Sequence, residues 1–217
     1  MNRKFWHTFI LLSILILNSC LGISADIQMR KDGSGKITLE YRFSRMAEAI
    51  GRLDGNERWN IIPVGRADWE RTITRIPDIK LVSFSSREKA QDIINKATLE
   101  FKNTDALLKF LDPTGKRAFL SRENGVNKLH LTLNEGASSQ LNPDLLELAR
   151  QVSDGYLFSI SVSAGNPAIS FTDGEGREIT PPPAAKISSS GKKASVSIGT
   201  WEILSGATGL GLDIVWK

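Results

Sequence analysis

The sequence is poor in the residue types that build most metal and nucleophilic sites. Its 217 residues include one cysteine, Cys20, and two histidines, His7 and His130. One cysteine cannot form a disulfide framework within the chain, and so few histidines leave no set of Cys and His ligands for zinc. We therefore predict no metal site, no cofactor, no catalytic residues and no enzymatic activity.

The first 19 residues have the layout of a secretory signal peptide. Arg3 and Lys4 precede an apolar run from Phe5 to Leu17, which ends at the polar pair Asn18-Ser19. The run has about 13 residues, whereas a membrane-spanning helix needs about 20. The sequence thus predicts a leader that directs export and does not itself anchor the protein.

The end of this leader resembles the lipobox of bacterial lipoproteins. Leu17-Asn18-Ser19-Cys20 has an apolar residue at −3 and a small residue at −1, although Asn18 departs from the small residue usual at −2. The alternative is cleavage after Ala25, which would place the bulky Ile23 at −3. The resemblance implies that Cys20 is acylated and anchors the protein to the membrane. Buried acyl methylenes contribute about 0.8 kcal/mol each.

Charge gives no support for a nucleic-acid partner. Without Arg3 and Lys4 the 28 basic residues become 26, against 24 acidic residues, and no basic cluster lies on one predicted element. A chain of this size can bury a hydrophobic core without disulfides. We predict a signal peptide over 1–19, a lipidated N-terminus and short tether over 20–25, and one globular domain over 26–217.

Hydrophobic periodicity predicts an α+β fold: a strand-rich antiparallel sheet domain with three to four short helices and an all-β C-terminal part. The predicted strands are 27–29, 37–43, 79–84, 93–101, 118–120, 129–133, 156–162, 168–171, 194–198, 201–204 and 210–216. The predicted helices are 46–53 with Ser44 as cap, 68–75 before Pro77, 106–111 with Thr104 as cap, and one from Pro143 to Val152. Pro181-Pro182-Pro183 is predicted as a stiff link between strands of one sheet.

The order of these elements resembles the LppM-like family of bacterial envelope lipoproteins. The residues that carry the resemblance are Asp32-Gly33-Ser34-Gly35 in the first hairpin, Phe101 with the following segment Asn103–Leu111, and Val215-Trp216. Unlike some relatives, the sequence has no apolar helix before Lys217. The resemblance implies a membrane-anchored lipoprotein of the bacterial cell envelope, on its periplasmic or surface face, that meets lipids or glycolipids and has no known enzymatic activity.

Three motifs have a functional and a structural interpretation. His130 lies between Leu129 and Leu131 on a predicted strand, which places it on the opposite, solvent-facing side with no catalytic partner residue in its neighbourhood. The acids and glycines of Asp173–Gly176 favour a hairpin turn over a calcium loop, because the other ligands of such a loop are absent. The glycines from Gly206 to Gly211 precede a strand and not a helix, which favours a turn over a phosphate loop.

The segment between two tryptophans is the candidate contact site. Its apolar residues would each forgo about 1.5–3 kcal/mol if left in water, so either the core or a partner must cover them. Tryptophan rings favour the boundary between apolar and wet surroundings. The candidate residues for ligand or membrane contact are Trp59, Ile61, Ile62, Val64 and Trp69.

The sequence leaves three functions open. The first is a lipid-anchored, non-catalytic binding or interaction module for lipid or glycolipid, which predicts a ligand-sized cavity. The second is a hydrolase of envelope material, which predicts convergent titratable groups. The third is a structural subunit of an envelope complex, which predicts a large flat apolar patch.

Overall fold

The structure, a computed structural model, describes residues 21–44, 65–89, 92–136, 147, 150, 151, 153, 155–206 and 208–217. Twelve strands and three helices lie in this part of the chain. The strands are β1 Leu21–Met29, β2 Gly35–Ser44, β3 Ile79–Glu88, β4 Asp92–Phe101, β5 Ala118–Glu123, β6 Val126–Asn134, β7 Leu157–Ser163, β8 Ala168–Thr172, β9 Glu178–Ile179, β10 Lys186–Ser190, β11 Lys193–Gly199 and β12 Leu210–Trp216. The helices are α1 Arg66–Thr74, α2 Thr104–Leu111 and α3 Thr200–Ser205.

The larger sheet, sheet A, has seven strands in the order β10-β11-β7-β1-β2-β4-β3. Apolar and polar residues alternate along its central strands, so that Ile27, Ile37 and Leu99 are buried on one face while Asp26, Thr38 and Thr98 lie on the other. All neighbours are antiparallel except β1 and β7, which are parallel. This pair is an exception to the antiparallel sheet that the sequence predicts.

The smaller sheet, sheet B, has five antiparallel strands in the order β5-β6-β12-β8-β9. Its inner face contributes Leu129, Phe171, Leu212 and Ile214 to a cluster of buried side chains that also contains the inner face of sheet A. The two sheets therefore share one hydrophobic core. The predicted α+β fold class is confirmed.

The two longer helices cover one end of this core. Helix α2 begins after Asn103, whose side chain accepts a hydrogen bond of 2.9 Å from the amide of Ala106. The predicted cap, Thr104, is therefore wrong by one residue, because the helix begins at Thr104 and the extended residue before it, Asn103, is the one whose side chain reaches the free amides of the first turn. Helix α1 buries Trp69 against the ring of Phe110 in α2.

Strand β1 begins immediately after the predicted lipidation site. Residues 21–25 pair with β2, and from Ile23 onward also with β7, so the predicted tether over 20–25 is wrong for the described residues. Ile23 and Ala25 lie on the same face of the strand as Ile27, because alternate residues point to the same side. This continued apolar face explains why the strand extends back to Leu21. Cys20 lies outside the described residues.

The hairpin between β1 and β2 shows why glycine is required in its turn. Gly33 has φ of 82°, in the left-handed region that glycine adopts without strain. A Cβ on Gly35 would collide with the carbonyl oxygen of Gln28 and the ring of Phe101, so only glycine fits there. The predicted hairpin is confirmed.

The C-terminal part differs from its prediction in two places. Residues 201–204 belong to helix α3 and not to a strand, because the carbonyls at the end of this helix, those of Ile203 and Gly206, accept hydrogen bonds of 2.7 and 2.9 Å from the side chain of Asn134. The segment 181–183 links β9 of sheet B to β10 of sheet A, so the strands on its two sides do not pair with each other.

Two predicted helices fall wholly or mainly outside the described residues. The helix over 46–53 lies outside them, and of the helix over 143–152 only Glu147, Arg150 and Gln151 are described, all three in helical conformation. In the part of the chain that is described, no helix combines the length and the hydropathy required to cross a membrane.

Candidate binding groove and polar clusters

An open groove of about 750 Å³ lies at one end of sheet A. It is bounded by the start of β7, the end of β11, the start of β10, helix α3 and the helical residues Arg150, Gln151 and Ser153. Helix α3 is fixed to this wall because the amide of Thr200 donates a hydrogen bond of 3.0 Å to the carbonyl oxygen of Tyr156. The volume falls within the range of about 300–1,000 Å³ that is usual for small-molecule sites.

The groove combines apolar and charged side chains. Trp201, Tyr156 and Leu157 supply its apolar surface, and Leu157 is 52% exposed. Its charged residues are Arg150, Lys186 and Glu202. Such a lining suits a ligand that has both an apolar part and a polar head.

The helical segment of the groove wall carries an ion pair of its own. Both Nε and Nη2 of Arg150 donate to the carboxylate of Glu147, at 2.9 and 2.7 Å. The hydrogen bonds from Arg150 and Gln151 lower the pKa of Glu147 to about 2. This pair holds the Arg150 side chain along its helix.

A charged cluster supports Tyr156 from behind. The Tyr156 hydroxyl donates a hydrogen bond of 2.9 Å to Asp92, whose other oxygen accepts one of 2.7 Å from Nε of Arg42. The Arg42 guanidinium also lies 5.1 Å above the Tyr156 ring, in cation–π geometry. Burial opposes ionisation of Asp92, but the hydrogen bonds from Arg42 and Tyr156 outweigh it and lower the pKa of this carboxyl below its usual value.

The groove lies beside the start of the first strand. A Cβ built on Gly22 would come within 3.4 Å of the carbonyl oxygen of Leu157 and 3.5 Å of the ring of Tyr156. Gly22 follows Cys20 by two residues, which is at most about 7 Å of extended chain.

The segment predicted as a contact site is only partly described. Trp59, Ile61, Ile62 and Val64 lie outside the described residues, and their contact role stays a prediction. Trp69 is 1% exposed and stacks between Tyr41 at 5.9 Å and Phe110 at 6.2 Å. For Trp69 itself, this burial favours the core over a ligand or membrane contact.

His130 contacts two polar side chains that the sequence did not predict as its partners. It faces away from the leucines, as expected, but its Nδ1 lies 2.8 Å from Oδ1 of Asp213 on β12, and the hydroxyl of Thr132 lies 3.3 Å from its Nε2. Nζ of Lys128 lies 2.6 Å from the other oxygen of Asp213. The prediction that no partner residue accompanies His130 is wrong, because β12 pairs with β6 in a register that places Asp213 directly opposite.

Asp173 forms a turn and not a calcium loop. Its Oδ1 accepts hydrogen bonds from the amides of Glu175 and Arg177, and its Oδ2 accepts one of 2.8 Å from Nε of Arg177. Strands β8 and β9 pair across this turn. Within the described ranges, no group of three or more His, Cys, Asp or Glu residues is arranged to hold a metal ion.

Sequence reasoning missed the residues of the groove. Trp201 lies on a segment predicted as a strand, and Tyr156 and Leu157 were assigned only to the start of another. The available signal was the pair of glycines at 199 and 206, which bracket a six-residue segment too short for a strand pair but sufficient for one helical turn and a half.

Comparison with solved structures finds three similar chains. The chain is similar to the folded domain of the LppM protein from Mycobacterium tuberculosis, determined by NMR, with 9% identity and a TM-score of 0.46. The similarity covers 91% of this chain and 90% of that chain. No protein-family model matches the sequence, and no curated protein matches it.

Proposed function

We propose that this protein is a lipid-anchored component of the bacterial cell envelope that binds an amphiphile, a lipid or a glycolipid, in the groove at the end of sheet A, without catalysis. The anchor is acylated Cys20, at the membrane-facing end of the chain. The observation that carries the proposal is the position of the groove, whose wall at Tyr156 and Leu157 lies beside Gly22, two residues after the proposed anchor.

The position matters because it decides where a ligand would come from. A site within about 7 Å of chain from an acylated residue lies at the surface of the bilayer, where amphiphiles are concentrated. Trp201 and Tyr156 have the amphipathic rings that suit this boundary, and Lys186 and Arg150 can meet a polar or anionic head group. A groove of ligand size beside the proposed anchor supports the binding-module proposal.

The test uses the full-length protein in detergent with two pyrene-labelled probes, phosphatidylglycerol and a glycosyl diacylglycerol. We expect at least one probe to bind, as measured by the fluorescence anisotropy of its pyrene, a signal that does not depend on Trp201. Leu157→Asp places a charge on the apolar wall, and Trp201→Ala removes its largest ring. Each should weaken binding about tenfold or more, which corresponds to about 1.4 kcal/mol.

Val82→Ala is the matched control, because Val82 is an exposed apolar residue, 47% accessible, on β3 at the far edge of the same sheet. It should leave probe binding unchanged. Failure of the wild-type protein to bind either probe, or equal loss in all three variants, would rule out the groove as the site.

The anchor is tested separately. Cells grown with labelled palmitate should label the wild-type protein and leave Cys20→Ala unlabelled. Equal labelling of the two proteins would remove the lipid anchor while leaving the groove open to the binding test.

The hydrolase alternative is favoured by one observation, the alignment of Asp213, His130 and Thr132. An Asp that orients a His, with a hydroxyl at the other ring nitrogen, is the arrangement of an activated nucleophile. The distance of 3.3 Å from Thr132 Oγ1 to His130 Nε2 exceeds the roughly 2.6–3.2 Å typical of such pairs. Asp213 is in addition paired with Lys128.

We therefore expect no hydrolysis that depends on His130. The measurement is turnover of peptidoglycan and of phospholipid by wild-type protein and by His130→Ala. Turnover that the substitution abolishes would show the protein to be an enzyme.

No observation favours the structural-subunit alternative. The large apolar side chains that are exposed among the described residues are Val82, Phe119, Leu157 and Ile187. They lie on the four strands β3, β5, β7 and β10 and form no single row on one sheet.

A further inference from the structure

Two opposite charges line the groove at the end of sheet A and do not pair with each other. Lys186 and Glu202 both belong to its lining. Within the described ranges no ion pair joins them, and neither forms one with another residue. The third charged residue of the lining, Arg150, is already paired with Glu147. In the described part of the chain, the groove therefore contains one positive and one negative charge without a partner.

The backbone shows where the carboxylate of Glu202 lies. A Cβ on Gly199 would collide with this carboxylate, so the absence of a side chain at 199 makes room for it. Gly199 ends β11 and is followed directly by α3, which carries Glu202 in its first turn. The negative charge thus lies against the end of β11.

The positive charge lies one strand closer to the edge of the sheet. Lys186 on β10 is directly opposite Ser197 on β11, and Ser197 comes two residues before Gly199. Alternate residues of a strand share a face, so Ser197 and Gly199 lie on the same side of the sheet. With roughly 4.8 Å between strands and roughly 3.4 Å per residue along a strand, the backbones at Lys186 and Gly199 are about 8 Å apart. The two charges are therefore close enough for one head group to contact both.

Ser197 adds a hydrogen-bond donor beside Lys186. Its oxygen accepts a hydrogen bond of 2.9 Å from the hydroxyl of Ser159. A serine hydroxyl also carries a hydrogen of its own, and Ser197 lines the groove. An ammonium and a hydroxyl at neighbouring positions of two paired strands suit the oxygens of a phosphate.

We propose that the groove selects a zwitterionic amphiphile, whose head group carries a phosphate bound by Lys186 and Ser197 and an ammonium bound by Glu202. Phosphatidylethanolamine has this chemistry. The inference rests on the proposed lipid-binding function of the groove. A head group with a phosphate alone would leave Glu202 without a partner beside a second negative charge, and an uncharged sugar would leave both protein charges without one. A head group that carries both charges compensates both residues.

The test measures binding of three pyrene-labelled probes to the full-length protein in a non-ionic detergent, by fluorescence anisotropy. The probes are phosphatidylethanolamine, phosphatidylglycerol and a glycosyl diacylglycerol with the same acyl chains. We expect phosphatidylethanolamine to bind about tenfold more tightly than either of the others.

Two substitutions separate the roles of the two charges. Lys186→Gln should weaken binding of both phospholipids about tenfold and leave the glycosyl diacylglycerol unchanged, because only the phospholipids carry a phosphate. Glu202→Gln should weaken binding of phosphatidylethanolamine alone, again about tenfold. Lys192→Gln is the matched control, because Lys192 is an exposed lysine in the turn at the other end of the β10–β11 hairpin. It should change the binding of no probe.

Equal affinity for the three probes would overturn the proposal and leave the groove as a lipid site, as would a loss in Lys192→Gln as large as that in Lys186→Gln. Binding of none of the probes would overturn the proposed function of the groove and this inference with it. Free phosphoethanolamine at the same concentration should displace no probe, and displacement would show a site for a soluble head group and not for a lipid. Unchanged binding of the glycosyl diacylglycerol shows that a variant is folded, and Lys186→Gln decides if Glu202→Gln is not.

Discussion

Two aromatic regions of this molecule look alike in the sequence and differ in the structure. Around Trp69 the rings of Tyr41 and Phe110 stack on both sides, and the indole is 1% exposed. Around Trp201 the neighbours are Tyr156, Leu157 and charged side chains, and the space between them is open. The comparison shows that an aromatic residue becomes part of a site when its neighbours leave one side of it uncovered.

The largest expected difference between the two regions is in stability. Trp69→Ala removes a buried ring and should lower the free energy of unfolding by about 3–5 kcal/mol. Trp201→Ala should lower it by about 1 kcal/mol or less, since that ring lines an open groove. Denaturant titration of the two variants measures both values, and similar losses would show that Trp201 is a core residue.

The second difference is in the response to acid. The pKa of Asp92 is lowered in the folded protein, so its contribution is present above about pH 4 and is lost as the pH falls below that value. Asp92→Asn should cost about 1–2 kcal/mol at neutral pH, because Arg42 and Tyr156 lose a charged partner. The cost should shrink in acid, as thermal unfolding at a series of pH values will show. A cost that does not depend on pH would contradict this role of the carboxylate.

The tyrosine of the enclosed region, Tyr41, should ionise late. Burial raises the pKa of Tyr41 to about 12, so this phenol stays neutral in the folded protein when an ordinary tyrosine ionises. Tyr41 therefore stabilises the fold below about pH 10 and ceases to do so as the pH rises toward 12. Phenolate absorbance should show a late titration that is reduced in Tyr41→Phe. A late titration of the same size in Tyr41→Phe would contradict this assignment.

The smallest expected difference is in fluorescence. A polar quencher reaches an indole in an open groove and does not reach one enclosed by other rings. Trp201→Phe should therefore reduce the quenchable fraction of the emission, whereas Trp69→Phe should raise it, because that substitution removes emission that the quencher does not reach. Equal reductions in the two variants would mean that the quencher reaches the two indoles equally well.

Much of the fold follows from local patterns. The first hairpin, helix α2 and the strand at the C-terminus were predicted because each has its own hydrophobic period, and the hairpin also has its own turn residue, Gly33. Helix α3 was not, because what holds it is the side chain of Asn134 on a distant strand. Long-range contacts of this kind leave no mark on the sequence near the helix they stabilise.

The candidate site was less predictable than the fold. The groove consists of residues from the start of β7, the end of β11 and helix α3, which only the strand order brings together. His130 and Asp213 are 83 positions apart and meet through the register of two strands.

The parallel pairing of β1 with β7 has a consequence for folding. β1 can form a hairpin with β2 as soon as both have been made, but its other edge pairs with residues such as Phe158, which come far later in the chain. Closing so long a loop slows the step that completes sheet A. Until then the open edge of β1 can pair with another chain, so this edge needs protection until the second half of the protein has been made.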